Sequence, residues 1–225
     1  MRLTELTNRL EEGPNDPQIF KAVFMAGGPG SGKSTVARIL FSGSGLKFVD
    51  LDRFESMARG RGQSVDYHSE RDYDRFWQLA SQQKQNYLLG RLGMLIDGTA
   101  KDLSRIVQQK HWLEQMGYEC AMVFVNATLE KAQARVLSRA EIEGRPVPSE
   151  RVITSWNAAQ RNIGQLQDEF GSNFFIVDNS GGTPRTETVE RKLRHFLDTP
   201  PRSPIARRWV DQARSDASTW TNPQK

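Results

Sequence analysis

The sequence predicts an α/β fold, a three-layer sandwich in which helices cover both faces of a parallel five-stranded sheet. Two observations carry that reading. Apolar runs of four to seven residues alternate with longer stretches of helical period, and strands joined by helix-length connections pair in parallel because no tight turn links them. The first apolar run also opens into a glycine-rich turn followed at once by helix-compatible residues. At 225 residues the chain is long enough for one such domain with a substantial core and at most a small appendage.

Strands are expected at Phe20–Ala26, Lys47–Leu51, Met94–Asp97, Tyr118–Val125 and Phe174–Val177, where the apolar runs fall. Helices are expected to begin near Lys33, Arg53, Asp72, Asp102, Leu129, Ser149 and Thr186. The one after Glu70 shows a stripe at Tyr73, Phe76, Trp77 and Ala80 that resumes at Tyr87, Leu88 and Leu92; Lys84 interrupts it, so the segment reads as one helix or two. This organisation divides the chain into an amino-terminal segment (1–19) holding a short amphipathic stretch, Leu3 to Glu12, a central domain (20–199), and a basic carboxyl-terminal tail (200–225). Pro200, Pro201 and Pro204 punctuate the last boundary; the segment from Arg202 to Lys225 reads as a tail or a docking helix, with disorder expected from Asp216 to Lys225.

Composition narrows the function classes. No window holds 18 consecutive apolar residues and the first twenty are polar and acidic, so a soluble, cytoplasmic protein without a membrane partner is expected. The lone Cys120 excludes an internal disulfide framework, and His68, His111 and His195 are too scattered to build a zinc module with it. Net charge is +4, with 22 Arg against 9 Lys. The planar arginine fork suits phosphate oxygens, which makes a polyanionic partner one reading and simple solubility the other.

Gly27-Gly28-Pro29-Gly30-Ser31-Gly32-Lys33-Ser34 satisfies G-x-x-x-x-G-K-[ST], continues into Thr35, and stands between a predicted strand and a predicted helix. The glycines let the backbone turn tightly and aim its N–H groups inward, while the helix start adds its positive end. Residues Gly27 to Thr35 are thus the expected nucleotide cradle and place the fold among P-loop NTPases, nucleotide-kinase-like in arrangement. Lys33 is expected to reach the β- and γ-phosphates of a nucleotide, and the Ser34 hydroxyl to complete a magnesium shell.

Other parts separate the kinds of P-loop protein. The fourth strand ends Val125-Asn126-Ala127-Thr128, without the guanine-reading Asn-Lys-x-Asp of a GTPase switch, and the third ends Asp97-Gly98, without the paired carboxylates of an AAA-type motor. Phosphoryl transfer to a hydroxyl fits better. Asp50 and Asp52 lie two apart at the end of the second strand, facing one side, and either carboxylate could orient an acceptor hydroxyl and take its proton; Asp52 also reads as the N-cap of the helix from Arg53. Asp97 ends the strand expected beside the P-loop strand, a place for a carboxylate that holds magnesium through water, or for a turn-forming Asp before Gly. Arg139, on the helix before the loop Glu141 to Ser149, and Arg145, within that loop, look like lid arginines that neutralise the transferring phosphoryl group, whereas Arg135 reads as part of a solvated helix face.

These residues resemble a family. The Gly27-to-Thr35 loop, Val49-Asp50-Leu51-Asp52-Arg53-Phe54, Leu95-Ile96-Asp97-Gly98-Thr99, Gly117-Tyr118 and the arginine loop are similar to the zeta-toxin-like P-loop kinases, over about residues 20 to 180. Gly90 to Thr99 and Val123 to Asn126 resemble the phage-encoded members in particular. The resemblance implies ATP and magnesium as cofactors at Lys33 and Ser34, Asp52 as catalytic base, and Arg139 and Arg145 as lid arginines; Asp97 stands where the family has a longer Glu. It implies an acceptor that is either 5-hydroxymethyluracil in DNA, as in thymidine hypermodification, or UDP-N-acetylglucosamine, as in the bacterial toxins. The arginine content, Arg59-Gly60-Arg61-Gly62-Gln63 and Arg207-Arg208-Trp209 lean toward DNA, with Trp209 either stacking on a base or packing the tail onto the core. From a different class, a P-loop switch that binds nucleotide and transfers nothing fits the same motif.

Overall fold

A computed structural model describes residues 13–49, 70–143 and 147–221. Its elements run β1 (Lys21–Ala26), α1 (Lys33–Phe41), β2 (Lys47–Val49), α2 (Glu70–Leu89), β3 (Met94–Asp97), α3 (Leu103–Gln115), β4 (Glu119–Asn126), α4 (Leu129–Glu143), α5 (Ser149–Phe170), a single 3₁₀ turn, β5 (Phe174–Asp178), α6 (Glu187–Asp198) and α7 (Pro204–Thr221). The five strands form one parallel sheet in the order β2-β3-β1-β4-β5. The motif strand β1 is therefore central. Met25 pairs with Asp97 of β3 on one side and with Val123 of β4 on the other.

All six residues of β1 are buried, because both faces of the sheet are covered. Side chains alternate between two cores. Ala22, Phe24 and Ala26 join Met122, Phe124 and Ile96 under Leu88 of α2, Leu113 of α3, Leu166 and Phe170 of α5, and Val210 of α7. Val23 and Met25 join Leu95, Val123 and Val177 under Val36 and Phe41 of α1 and Leu193, Phe196 and Leu197 of α6. In α6, Val189, Leu193, Phe196 and Leu197 recur at helical spacing on the buried face, each worth about 1.5–3 kcal/mol of burial. This is the predicted three-layer α/β sandwich.

Differences from the sequence reading are local. Helix α2 runs unbroken through Lys84; the Lys84 ammonium lies 5.7 Å from the centroid of Trp112, so its stem covers apolar surface while its charge meets an aromatic face. Phe76 and Leu88 of its stripe are buried, but Trp77 stays half exposed. The carboxyl-terminal segment docks as α7, and its helix continues through Asp216 to Thr221, where the sequence predicts disorder. Trp209 meets Phe20 edge-on at 5.6 Å and packs, partly buried, against the core, as the packing alternative for this residue expects. Asp50, Leu51 and the helix expected from Arg53 lie outside the described residues. No helix among the described residues is long and apolar enough to cross a membrane.

Candidate active site

The carboxyl end of β1 delivers the chain into the glycine loop, and the loop into α1. Gly27, Gly30 and Gly32 have φ of +139°, +75° and +89°, a region that disfavours any residue with a Cβ. Space is equally restrictive: a Cβ on Gly30 would stand 2.2 Å from the Ala132 carbonyl oxygen of α4, and one on Gly32 would stand 2.2 Å from the Asn179 amide nitrogen. Gly32 is the N-cap of α1 and offers no side-chain cap. The first N–H groups of that helix therefore keep their capacity for an external anion.

Lys33 Nζ donates to the carbonyl oxygens of Gly27 at 2.9 Å and Gly28 at 3.4 Å, which places the ammonium over the loop. Ser31 is buried, and its hydroxyl has no hydrogen-bond partner among the described residues. A buried donor left unpaired inside a positive loop is costly unless a ligand uses it. Ser34 and Thr35 are exposed at the start of α1, and Asp97 is exposed at the end of β3 in register with Met25, where the Gly98 N–H donates to the Met25 carbonyl. A hydroxyl and a carboxylate at the carboxyl end of the sheet are hard oxygen donors suited to magnesium, which takes few protein ligands and completes its shell with water and phosphate. Among the described residues no group of three or more His, Cys, Asp or Glu could make a cage for a metal by itself. The residues present fit ATP with magnesium.

Three elements grip the loop from outside. From α4, Arg135 Nη1 donates to the carbonyls of Gly30 and Ser31, both at 3.3 Å, and Nη2 donates to the Asn179 carbonyl at 3.0 Å. Just past β5, buried Asn179 donates from Nδ2 to the Ser31 carbonyl at 2.7 Å, while its own N–H donates to the Asn126 carbonyl at 2.8 Å. From α5, Trp156 stands against Gly28, and its indole N–H donates to the Ala127 carbonyl at 2.9 Å. Arg135 is thus half-buried against the motif and not part of a solvated face, because the first turns of α4 cross directly over the loop. Arg139, one turn on, is exposed.

Past the exit of β3, a cleft of about 820 Å³ lies between residues 101–104 and the first half of α5, with Lys101, Ser104, Arg151 and Thr154 on its walls. Its floor is fixed by Asn162, which donates to the carbonyls of Ala100 and Lys101. Ala100 holds φ of +60°, a strained turn at the exit of β3. Asp102 caps α3 by accepting the Arg105 N–H at 3.1 Å, and that bond, with one from Ser104, holds its carboxyl below the usual aspartate range.

The zeta toxin family matches residues 5–184. The chain belongs to the zeta toxin family. No curated protein matches it. Among solved structures, the fold is shared with the Pnkp1/Rnl/Hen1 RNA repair complex (23% identity, TM-score 0.53), covering 64% of this chain and 45% of that one, so the zeta-family chain spans under half of that neighbour. It is shared with the AvrRxo1-ORF1:-ORF2 complex solved with ATP (16% identity, TM-score 0.57), covering 89% and 72%. It is also shared with the PezAT chromosomal toxin-antitoxin system of Streptococcus pneumoniae (16% identity, TM-score 0.53), covering 97% and 94%.

Of the site residues expected in this zeta-family chain, Gly27 to Thr35 and Asp97 lie at the carboxyl ends of the adjacent strands β1 and β3. Asp52 and its neighbour Asp50, Arg145, Arg59 and Arg61 lie outside the described residues. Sequence reasoning misses two residues. Asn179 follows β5 with no motif around it, and Arg135 reads as solvent-facing because a helix pattern does not say what crosses it.

Proposed function

We propose that the chain is an ATP- and magnesium-dependent kinase that transfers the γ-phosphate to a hydroxyl of a nucleotide-like acceptor. The observation that carries the reading is the glycine loop at the end of the central strand, with Lys33 over it and Asp97 at the end of the adjacent strand. Bound there, magnesium ATP would supply the phosphoryl group. Backbone N–H groups at the α1 start and Lys33 hold the phosphates, and Ser34 and Asp97 hold the metal. Asp52 orients the acceptor hydroxyl and takes its proton, with Asp50, two residues before it, as the other candidate carboxylate; Arg139 and Arg145 offset the charge spread over the transferring group.

The cleft beside Lys101 and Arg151 seats the acceptor; its volume suits one nucleotide-sized molecule. Within that class, 5-hydroxymethyluracil in DNA is the acceptor that the arginine excess favours, although packing of Trp209 against Phe20 removes one of its supports. UDP-N-acetylglucosamine is the second reading, favoured by the family match. Transfer of labelled γ-phosphate to a panel of modified DNA, plain DNA, nucleosides and UDP-N-acetylglucosamine, with Lys33→Ala as blank, separates them. Label in none of them, from a protein that binds ATP, would favour a nucleotide switch without transfer.

A further inference from the structure

A planar trans peptide points its C=O and its N–H in opposite directions. The Ser31 carbonyl is turned toward α4 and the exit of β5, where it accepts Asn179 Nδ2 at 2.7 Å and Arg135 Nη1 at 3.3 Å. The Gly32 N–H belongs to the same peptide unit and must point the opposite way, into the concavity of the loop. The preceding unit differs: the Gly30 carbonyl also accepts Arg135 Nη1, at 3.3 Å, but its Ser31 N–H donates to the Gly28 carbonyl at 3.1 Å and closes the turn. A left-handed Gly32 followed by helical Lys33 is the change of hand that brings successive N–H groups to one side.

We infer that Arg135 and Asn179 are positioning residues, which aim the Gly32 N–H at the nucleotide phosphates by holding the Ser31 carbonyl outward. The inference rests on the nucleotide-binding reading above. Asn179 suits the task because it is itself fixed at both backbone groups, its N–H on Asn126 and its carbonyl under Arg135. Arg135 suits it because one planar fork spans carbonyls on two walls, which an ammonium on a flexible stem cannot do. The contacts also account for the glycines: Gly30 and Gly32 are the residues against which Ala132 and Asn179 pack, at distances that no Cβ allows. Without the clamp, the Ser31–Gly32 peptide is free to flip, and a carbonyl oxygen then faces the phosphates.

The test uses the full chain and two probes, ATP and inorganic tripolyphosphate, which reports on the loop alone. Asn179→Ala and Arg135→Lys are titrated below their own melting temperatures, and the Gly32 amide resonance is followed during titration. Each variant is expected to bind both probes about tenfold or more weakly, the loss expected when a buried hydrogen-bond partner is removed, with the probe-induced shift of the Gly32 amide reduced. Arg135→Lys keeps the charge, so wild-type affinity in that variant would mean that charge alone acts, and would overturn the proposal. So would unchanged affinity in Asn179→Ala. If the wild-type chain binds neither probe, the nucleotide reading itself fails; if it binds both and the variants match it, only the clamp fails.

Discussion

Replacing Gly30 with alanine tests how tightly the phosphate loop is built. The new Cβ would stand 2.2 Å from the Ala132 carbonyl oxygen, 2.8 Å from its carbonyl carbon and 2.9 Å from its Cα, all backbone atoms of α4. Ordinary contact requires about 3.5 Å, so loop and helix must separate by more than about 1 Å. Holding an alanine at φ +75° adds about 1–2 kcal/mol, and the overpacking about 1–3 kcal/mol. The sum, about 2–5 kcal/mol, corresponds to a fall in melting temperature of roughly 5–15 °C for a domain of this size. Separation also lengthens the Arg135 bonds to Gly30 and Ser31, so ATP affinity should fall by at least about tenfold. Gly28→Ala meets Trp156 at 3.2 Å and has ordinary φ, and should cost about 1 kcal/mol. Gly164→Ala in α5 meets nothing within 4 Å and should stabilise by about 0.5–1 kcal/mol. Urea unfolding with ATP titration on the three variants gives the order. Gly30→Ala as stable as Gly28→Ala, with unaltered ATP binding, would refute the reasoning.

Lys33→Ala should reduce phosphoryl transfer at least about 100-fold and lower the melting temperature by a few degrees, since it removes the donor from two loop carbonyls; radiolabel transfer and calorimetry read the two effects. Trp209→Ala should cost about 2–4 kcal/mol by removing the contact with Phe20, measured by urea unfolding. Cys120 is buried in β4, and burial pushes its thiol far above the usual range. It should therefore label with a thiol reagent only at the rate of unfolding, and rapid labelling of native protein would contradict its placement. Glu169 is held below the ordinary glutamate range, first by the Lys110 bond at 2.9 Å and then by His111. Its folded form thus binds its proton at lower pH than the unfolded chain. The stability it contributes is present above the ordinary glutamate range and is lost as pH falls through the lowered value. Urea midpoints against pH should show that acid-side loss shrinking in Glu169→Gln.

The strands were legible because a sheet covered on both faces needs continuous apolar runs, and β1, β3 and β4 are such runs. The loop was legible because its glycines and lysine sit at a fixed spacing that local backbone geometry demands. From that loop and the apolar end of β3, even the neighbouring position of Asp97 could be anticipated. Trp209, Arg135 and Asn179 were not legible in this way. A tryptophan beside arginines in a tail has the same composition whether it stacks on a base or, as here, closes the core against Phe20. Arg135 and Arg139 lie one turn apart on the same helix; only the crossing of α4 over Gly30 makes one a clamp and leaves the other exposed. Asn179 carries no local signal, since its partners Ser31 and Asn126 are 148 and 53 residues away. Periodicity and spacing are properties of neighbours along the chain and can be read from it directly. Which carbonyl a distant amide or guanidinium finds is decided by how helices and strand ends pack, and that is written only in three dimensions.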